Sequence, residues 1–298
     1  MEKKQVQTIT VKKDDDGQRL DNYLRKTCKG VPMSRIYRAL RSGEVRVNKG
    51  RVKAFTKLRE GDVLRVPPLH VREAVERKVG DAHWVAKAVI YEDEHVLVLD
   101  KPDTLPVHKG SGVESCVVDS VHAYLNKMPY LVHRLDKMVS GCLLLVKGRE
   151  DKKAVLEKWH DSGCRKRYEV LVSTKNRLPR TWVIDKPLED KDGKSQLAKT
   201  ACTVERQGEK VAAAKLSVEI ATGRKHQIRR HLALHGEPVL GDRLYGDFAR
   251  NKVFAQRYGD GMFLHAAELV FWHPVHGWQT VQAPWPSKKE AVLKKLFE

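Results

Sequence analysis

The sequence predicts an α+β protein in two parts. A small α/β domain spans residues 17–80, and a larger domain spans residues 88–298, built on a mixed, mostly antiparallel β-sheet flanked by helices and loops. Three observations carry this reading. The chain holds 57 Lys/Arg against 38 Asp/Glu, a net +19, and residues 1–80 contain 21 of the basic and 10 of the acidic residues, so more than half of the excess sits in about a quarter of the chain. Pro67-Pro68 and the charged, aperiodic run 69–86 separate two compositions and read as a linker. Beyond Ala88, short β-type runs alternate with only a few helical ones.

Composition narrows the function. A hydrophobic share of 41% with six Trp supplies a sizeable core. No run of about 18 apolar residues occurs, so no membrane span or membrane partner is expected. Met1-Glu2-Lys3-Lys4 opens no apolar segment of the secretory kind, and a cytoplasmic protein is expected. Cys28, Cys116, Cys142, Cys164 and Cys202 are dispersed, which fits reduced thiols and no cysteine zinc site. The basic excess suits a polyanionic partner.

In the first part, Leu20, Tyr23 and Leu24 fall at helical spacing within Gln18–Lys29, with Gly30 as the stop. Ser34 is the expected N-cap of a second helix with the apolar stripe Ile36, Tyr37 and Leu40, ending at Gly43. Arg35, Arg38 and Arg41, spaced by three, form a cationic ridge on it. Val45-Arg46-Val47, the turn Asn48-Lys49-Gly50 and a final strand Val63–Val66 complete the unit. This order resembles the S4 RNA-binding domain, through Gln18–Leu24, Ser34–Leu40, Gly43–Asn48 and Gly61-Asp62. The resemblance implies docking on structured RNA by shape and phosphate contacts, with little base reading.

In the second part, Val89–Tyr91 and Val96–Leu99 read as a hairpin, Ser115–Asn126 and Asp151–His160 as helices, and Cys142–Val146 as a buried strand. Arg165–Val172 is a strand that starts with three cations and places Tyr168 as a candidate to meet a base. Strands follow at Lys199–Glu205 and Val211–Ile220, and the end holds Phe263–Ala266, Phe271–Pro274 and a basic helix over 287–298.

Two runs carry the chemistry. In Leu131–Gly141, Arg134 and a lone Asp136 stand at the mouth of a buried strand, an arrangement that reads either as a surface ion pair or as a site. In Thr222–Gly236, Arg224, Lys225, His226, Arg229 and Arg230 crowd the start of a short helix. His231 and His235 lie i, i+4 apart but lack the intervening Glu and a third ligand, so no metal is expected. Ser140, His133 and Asp136 are crowded into one strand-loop without a Gly-x-Ser-x-Gly elbow, which disfavours a hydrolase.

Together His133-Arg134-Leu135-Asp136 with Ser140-Gly141, Lys166-x-Tyr168, Gly223-Arg224-x-His226-Gln227-Ile228-Arg229 and Leu240-Gly241-Asp242 through Tyr245-Gly246 resemble the RluA family of RNA pseudouridine synthases. With the S4-like unit in front, the chain looks like the RluC branch, which modifies large-subunit (23S) ribosomal RNA. The resemblance implies an isomerase that needs no cofactor and acts on rRNA before or during subunit assembly; a monomer is expected beside it, with no motif encoding the oligomeric state. A member acting on tRNA and a non-catalytic S4-type assembly factor are the alternatives. It further implies Asp136 as nucleophile, Arg229 as its ion-pair partner and Tyr168 against the target base. Arg134 would hold the flipped nucleotide, Ile228 would pack beneath the base, and Arg224 and His226 would bind substrate. One departure stands out: the family has an acidic residue and Thr before Ser140-Gly141, and this chain has Met138-Val139.

Overall fold

The computed structural model describes residues 6–28, 31, 33–68, 82–109, 115–190, 192–208 and 212–297 (side chains of 33 and 34 apart). The chain divides into two compact units, Met1–Arg77 and Lys78–Glu298. Among the described residues no helix is long and apolar enough to cross a membrane.

The first unit packs helices Leu20–Thr27 and Met33–Ser42 with a four-stranded antiparallel sheet, in the order Gln7–Thr10, Val63–Val66, Arg46–Val47, Gly50–Arg51. Leu20, Leu24, Ile36, Leu58 and Leu64 are fully buried between them. The tight turn of the Arg46–Arg51 hairpin needs two left-handed residues, and Asn48 (φ 48°) and Lys49 (φ 64°) supply them. The second helix starts at Met33, so Ser34 lies inside it and is not its cap. The cationic ridge also needs correction. Arg35 is half-buried and tied to Glu44 (Nη2 to Oε2, 2.7 Å), whereas Arg38 and Arg41 are exposed. The expected stop at Gly30 and most of the expected linker lie outside the described residues. The linker's last residues belong to a helix, His83–Ala88, whose Val85 is fully buried.

The second unit centres on a ten-stranded sheet. Its path runs Thr181–Asp185, Lys199–Gln207, Ala213–Ile220, Arg165–Ser173, Leu264–His273, Ser140–Val146, Val96–Lys101, Val89–Glu92. Gly277–Gln282 pairs beside Leu264–His273, and Tyr130–Leu131 beside Ser140–Val146. Every pairing is antiparallel except that of Leu264–His273 with Ser140–Val146, which is parallel (His265 opposite Ser140, Ala266 opposite Gly141). Gly141 is required at that crossing: its φ is 107°, and a Cβ there would lie 2.2 Å from the Ala266 carbonyl oxygen. Ser140–Val146 is buried along its whole length, as its apolar run requires. The chain enters it directly from the loop that carries Asp136. Leu264–His273 is one continuous strand where two short pieces were expected. Phe248–Tyr258, unassigned by periodicity, is a helix capped by Asp247, whose carboxylate accepts from the Arg250 N–H at 3.0 Å.

Candidate active site

The loop before the buried strand is pinned on both sides of Asp136. Leu135 and Val139 are buried in the main core, and the Val139 N–H donates to the Asp136 carbonyl at 3.1 Å, closing a turn. From below, the fully buried Lys101 ammonium donates to three carbonyls, those of Pro102 (2.7 Å), Leu105 (2.9 Å) and Lys137 (3.3 Å). Burial lowers its pKa to about 7, against the nearby charges of Asp103 and Asp136. The Asp136 carboxylate itself is left half-buried and facing a cavity.

The other wall comes from helix Gln227–His235. His226, its N-cap residue, adopts the left-handed conformation (φ 55°), which turns the chain sharply from the Ala213–Ile220 strand into the helix. Gln227, buried, anchors that turn: its side-chain oxygen accepts from the Thr222 hydroxyl (2.7 Å) and the Arg224 N–H (3.1 Å), and its amide donates to the Lys199 carbonyl (2.9 Å). Arg229, two residues on, is buried and donates one bond to Asp136 (Nη1 to Oδ2, 3.0 Å). Its other edge meets Asp242 bidentately, at 2.6 and 2.8 Å.

Asp242 is fully buried and also accepts from the Leu244 and Tyr245 N–H groups. Burial works against its charge, but Arg229 and these N–H donors outweigh it and hold its pKa below the usual range. Burial likewise opposes the Arg229 charge, and its two acidic partners overcome that and raise its pKa. His226 lies with Nε2 3.7 Å from Asp136 Oδ1 and Nδ1 3.0 Å from the Tyr245 hydroxyl. Burial lowers its pKa and favours the neutral ring.

Asp136, Arg229, Tyr168, Ile228, Arg134, Arg224 and His226 all line one cavity of about 340 Å³. Tyr168 and Ile228 are buried and belong to the apolar core, so they form its floor, while Arg134 and Arg224 are exposed at its rim. Burial, and next the Asp136 charge, raise the Tyr168 pKa and keep its hydroxyl neutral. Arg35, Arg38 and Arg41 belong to the other unit and are no part of this cavity. The three cations before Tyr168 are not one free stripe: the Lys166 ammonium sits over the Trp159 ring at 4.7 Å, and Arg167 pairs with Glu169 and Glu268. Val139, where the family resemblance expected Thr, is buried against the core beside the cavity, and a branched apolar side chain suits that setting without a hydrogen-bond partner.

Two other chemistries lose their geometry. The Ser140 hydroxyl donates to His265 Nδ1 (2.9 Å), whose Nε2 donates to the Ala283 carbonyl (3.0 Å), while His133 Nε2 accepts from the Leu144 N–H (2.9 Å). No Ser-His-Asp relay therefore forms among Ser140, His133 and Asp136. His231 is engaged at both ring nitrogens, by the Thr200 hydroxyl (2.8 Å) and the Lys186 carbonyl (2.9 Å), and His235 bonds to Glu237 instead. Asp93, His273 and His276 lie close together, but both nitrogens of His273 are already used, by Asp93 and by the Val275 and His276 N–H groups.

Sequence reasoning gave Lys101, Asp242 and Tyr245 no role in the site, although Asp242 and Tyr245 lie in one of the motifs that carry the family resemblance. A lone Lys closing the apolar run Val96–Leu99, and an Asp inside the tight Gly241–Gly246 turn, are the signals that point to them.

Comparison with known proteins agrees with this arrangement. The sequence pattern of the RNA pseudouridylate synthase family matches residues 95–234, and that of the S4 domain matches residues 18–64. The chain is 38% identical to the ribosomal large subunit pseudouridine synthase C of Escherichia coli and 36% identical to that of Vibrio parahaemolyticus. Each match covers 98% of this chain and 97% of the relative. Among solved structures, human RNA pseudouridylate synthase domain containing 4 shares the fold, with a TM-score of 0.60 and 24% identity over 72% of this chain and 95% of that one.

Proposed function

Because the chain belongs to the RluA family of RNA pseudouridine synthases, with an S4 domain in front, we propose that it isomerises specific uridines in large-subunit ribosomal RNA with Asp136 as the nucleophile. The observation that carries this assignment is the relay Asp136–Arg229–Asp242 at the wall of a cavity floored by Tyr168 and Ile228. A guanidinium fixed by a buried acid holds the Asp136 carboxylate aimed into the cavity.

The reaction breaks the N1–C1′ bond of uridine, turns the detached base and rejoins it to the ribose through C5. The electron pair of the N1–C1′ bond leaves with the base, and the Asp136 carboxylate supports the ribose that remains. The C5–C1′ bond then forms, and the C5 proton is lost. In this cycle Tyr168 packs against the base; its hydroxyl is neutral while substrate binds, so it takes the C5 proton only as it gives up its own, and N1, freed from the ribose, gains a proton in return. Ile228 packs on the base, and Arg134, at the exposed rim, holds the backbone of an RNA whose uridine has been turned out of its stack. Arg224 and His226 complete the contacts to the substrate. The S4 unit adds affinity for structured RNA through exposed cations such as Arg38 and Arg41.

RNA still accessible before or during subunit assembly is the fitting substrate, with the enzyme acting as a monomer in the cytoplasm and needing no cofactor. The test is pseudouridine mapping by carbodiimide modification on rRNA from cells lacking the protein, complemented with wild type or Asp136→Asn. Wild type restores specific pseudouridines and Asp136→Asn restores none. Full modification by the Asn variant would falsify the catalytic role, and modification confined to tRNA would redirect the substrate.

A further inference from the structure

A second cavity, of about 580 Å³, opens beside the first and shares Gly223, Arg224 and Lys225 with it. Its outer wall is the short hairpin Leu188–Glu189 with Ser195–Gln196, and its inner wall includes Arg230 and Tyr245. Its volume falls in the range of about 300–1,000 Å³ usual for ligand sites.

We propose that this cavity is a second nucleotide subsite, which takes the nucleotide next to the target uridine along the RNA chain. The assignment rests on the reading of the protein as an RNA-modifying enzyme. Its phosphate would lie on Arg224, Lys225 and Arg230, and its base between the Tyr245 ring and the Glu189 carboxylate.

The cations are prepared for this. Arg224 is tethered by one bond, Nε to the Leu197 carbonyl at 3.1 Å, and Arg230 by one, Nη1 to the Glu189 carbonyl at 3.0 Å. Each guanidinium keeps further N–H groups for a phosphate, and little side-chain entropy remains to be lost on binding. Among the described residues the nearby Asp190 pairs with none of these cations. Its carboxylate is consumed by the hairpin turn, accepting from the Asp192 N–H (2.9 Å), the Lys194 N–H (3.0 Å) and the Gln196 amide (3.0 Å). The Glu189 side chain makes no such bond among the described residues and is exposed at the cavity wall. A carboxylate in that place accepts from amino and imino edges, so the neighbouring base would be one that offers a donor.

Tyr245 joins the two cavities. It lines the second one, the Arg229 guanidinium lies 5.1 Å from its ring centroid, and its hydroxyl meets His226 Nδ1. A base resting on Tyr245 therefore steadies the residues that flank Asp136, and recognition of the neighbour is linked to the reacting uridine.

The experiment begins with pseudouridine mapping on unmodified transcripts of large-subunit rRNA treated with the full chain. A short RNA around a mapped uridine is then prepared with each neighbouring nucleotide made abasic in turn. With wild type, one abasic neighbour lowers kcat/KM about tenfold or more. With Glu189→Ala, which keeps the backbone carbonyl used by Arg230, the parent RNA is slowed and that abasic penalty shrinks to about twofold or less, while the melting temperature stays that of wild type. Abasic penalties of equal size in wild type and Glu189→Ala, or none with wild type, overturn the subsite alone. Wild-type enzyme that forms no pseudouridine in any transcript overturns the functional reading and the subsite with it.

Discussion

Arg229 gives Asp136 a single hydrogen bond, at 3.0 Å, from a guanidinium whose opposite edge is already fixed on the buried carboxylate of Asp242. The bidentate bond settles the plane of the guanidinium, and that plane settles where Asp136 can sit. Asp136 is thus half-exposed for chemistry yet not free to turn away. The arrangement separates two carboxylates: Asp242 fixes Arg229 from behind, and Asp136 faces the cavity.

Asp136→Asn is expected to lose about a thousandfold or more in kcat while RNA affinity changes by less than about threefold. The amide keeps the size of the side chain and its contact with Arg229 but cannot act as a nucleophile. Single-turnover rates alongside filter binding separate the two effects. Retained turnover would remove Asp136 from the reaction.

Asp242→Asn is expected to act on both stability and turnover. It leaves Arg229 buried beside a neutral amide, and breaking a buried pair in this way costs about 3–5 kcal/mol. For a domain of this size that corresponds to a fall of roughly 10 °C in Tm. The pH dependence has a definite sign. The folded pKa of Asp242 is lowered, so its stabilising contribution is present above the unfolded carboxylate pKa and is lost as pH falls through the folded one. Wild type therefore loses this stability in acid, and the variant, which never had it, shows a shallower acid slope. Equal slopes in urea unfolding between pH 3 and 7 would count against the pairing.

Lys101→Met tests the support beneath the loop. The variant leaves the carbonyls of Pro102, Leu105 and Lys137 without their shared donor. Loss of loop order should lower kcat about 10- to 100-fold with KM nearly unchanged, since Lys101 is fully buried under the loop. The ammonium also has a pH signature. Its folded pKa, about 7, lies below that of an unfolded lysine, so wild type gains stability as pH rises from about 7 toward 10. The Met variant lacks that gain. Urea unfolding at pH 7 and pH 9 reads it directly.

Much of this site is legible in the sequence because its residues cluster in two short runs. His133–Asp136 and Gly223–Arg229 each place several polar groups within a few positions, and the strand that follows Asp136 is plainly buried. The pair Asp136–Arg229 spans 93 residues, and family resemblance, not spacing, joins its halves. Lys101 and Asp242 are less legible, since their roles depend on burial and on backbone carbonyls and N–H groups that no side-chain pattern encodes. In the fold, buried strands such as Ser140–Val146 declare themselves by apolar runs. The strand Gln7–Thr10 is mostly exposed and polar, and is defined by pairing with Val63–Val66 alone. Arg35 shows the reverse error: a spacing of three placed it on a ridge, but Glu44, nine residues on, draws it away.

That difference within the S4 unit is itself testable. Arg38 and Arg41 are exposed, whereas Arg35 is spent on Glu44. Each cation that neutralises a phosphate contributes about 0.7–0.9 to the slope of log K against log salt. The double variant Arg38→Gln/Arg41→Gln should therefore lower that slope by about 1.5 and weaken rRNA binding at low salt, with Tm unchanged. Arg35→Gln should leave the slope within about 0.3 of wild type, because the charge it removes is already paired. Its effect should appear in stability, as the loss of a half-buried pair of about 1 kcal/mol. Removal of residues 1–80 sets the outer limit and should reduce both affinity and slope further than the double variant does. Filter binding from 50 to 300 mM salt decides among these, and an Arg35→Gln slope as low as that of the double variant would restore the three-residue ridge.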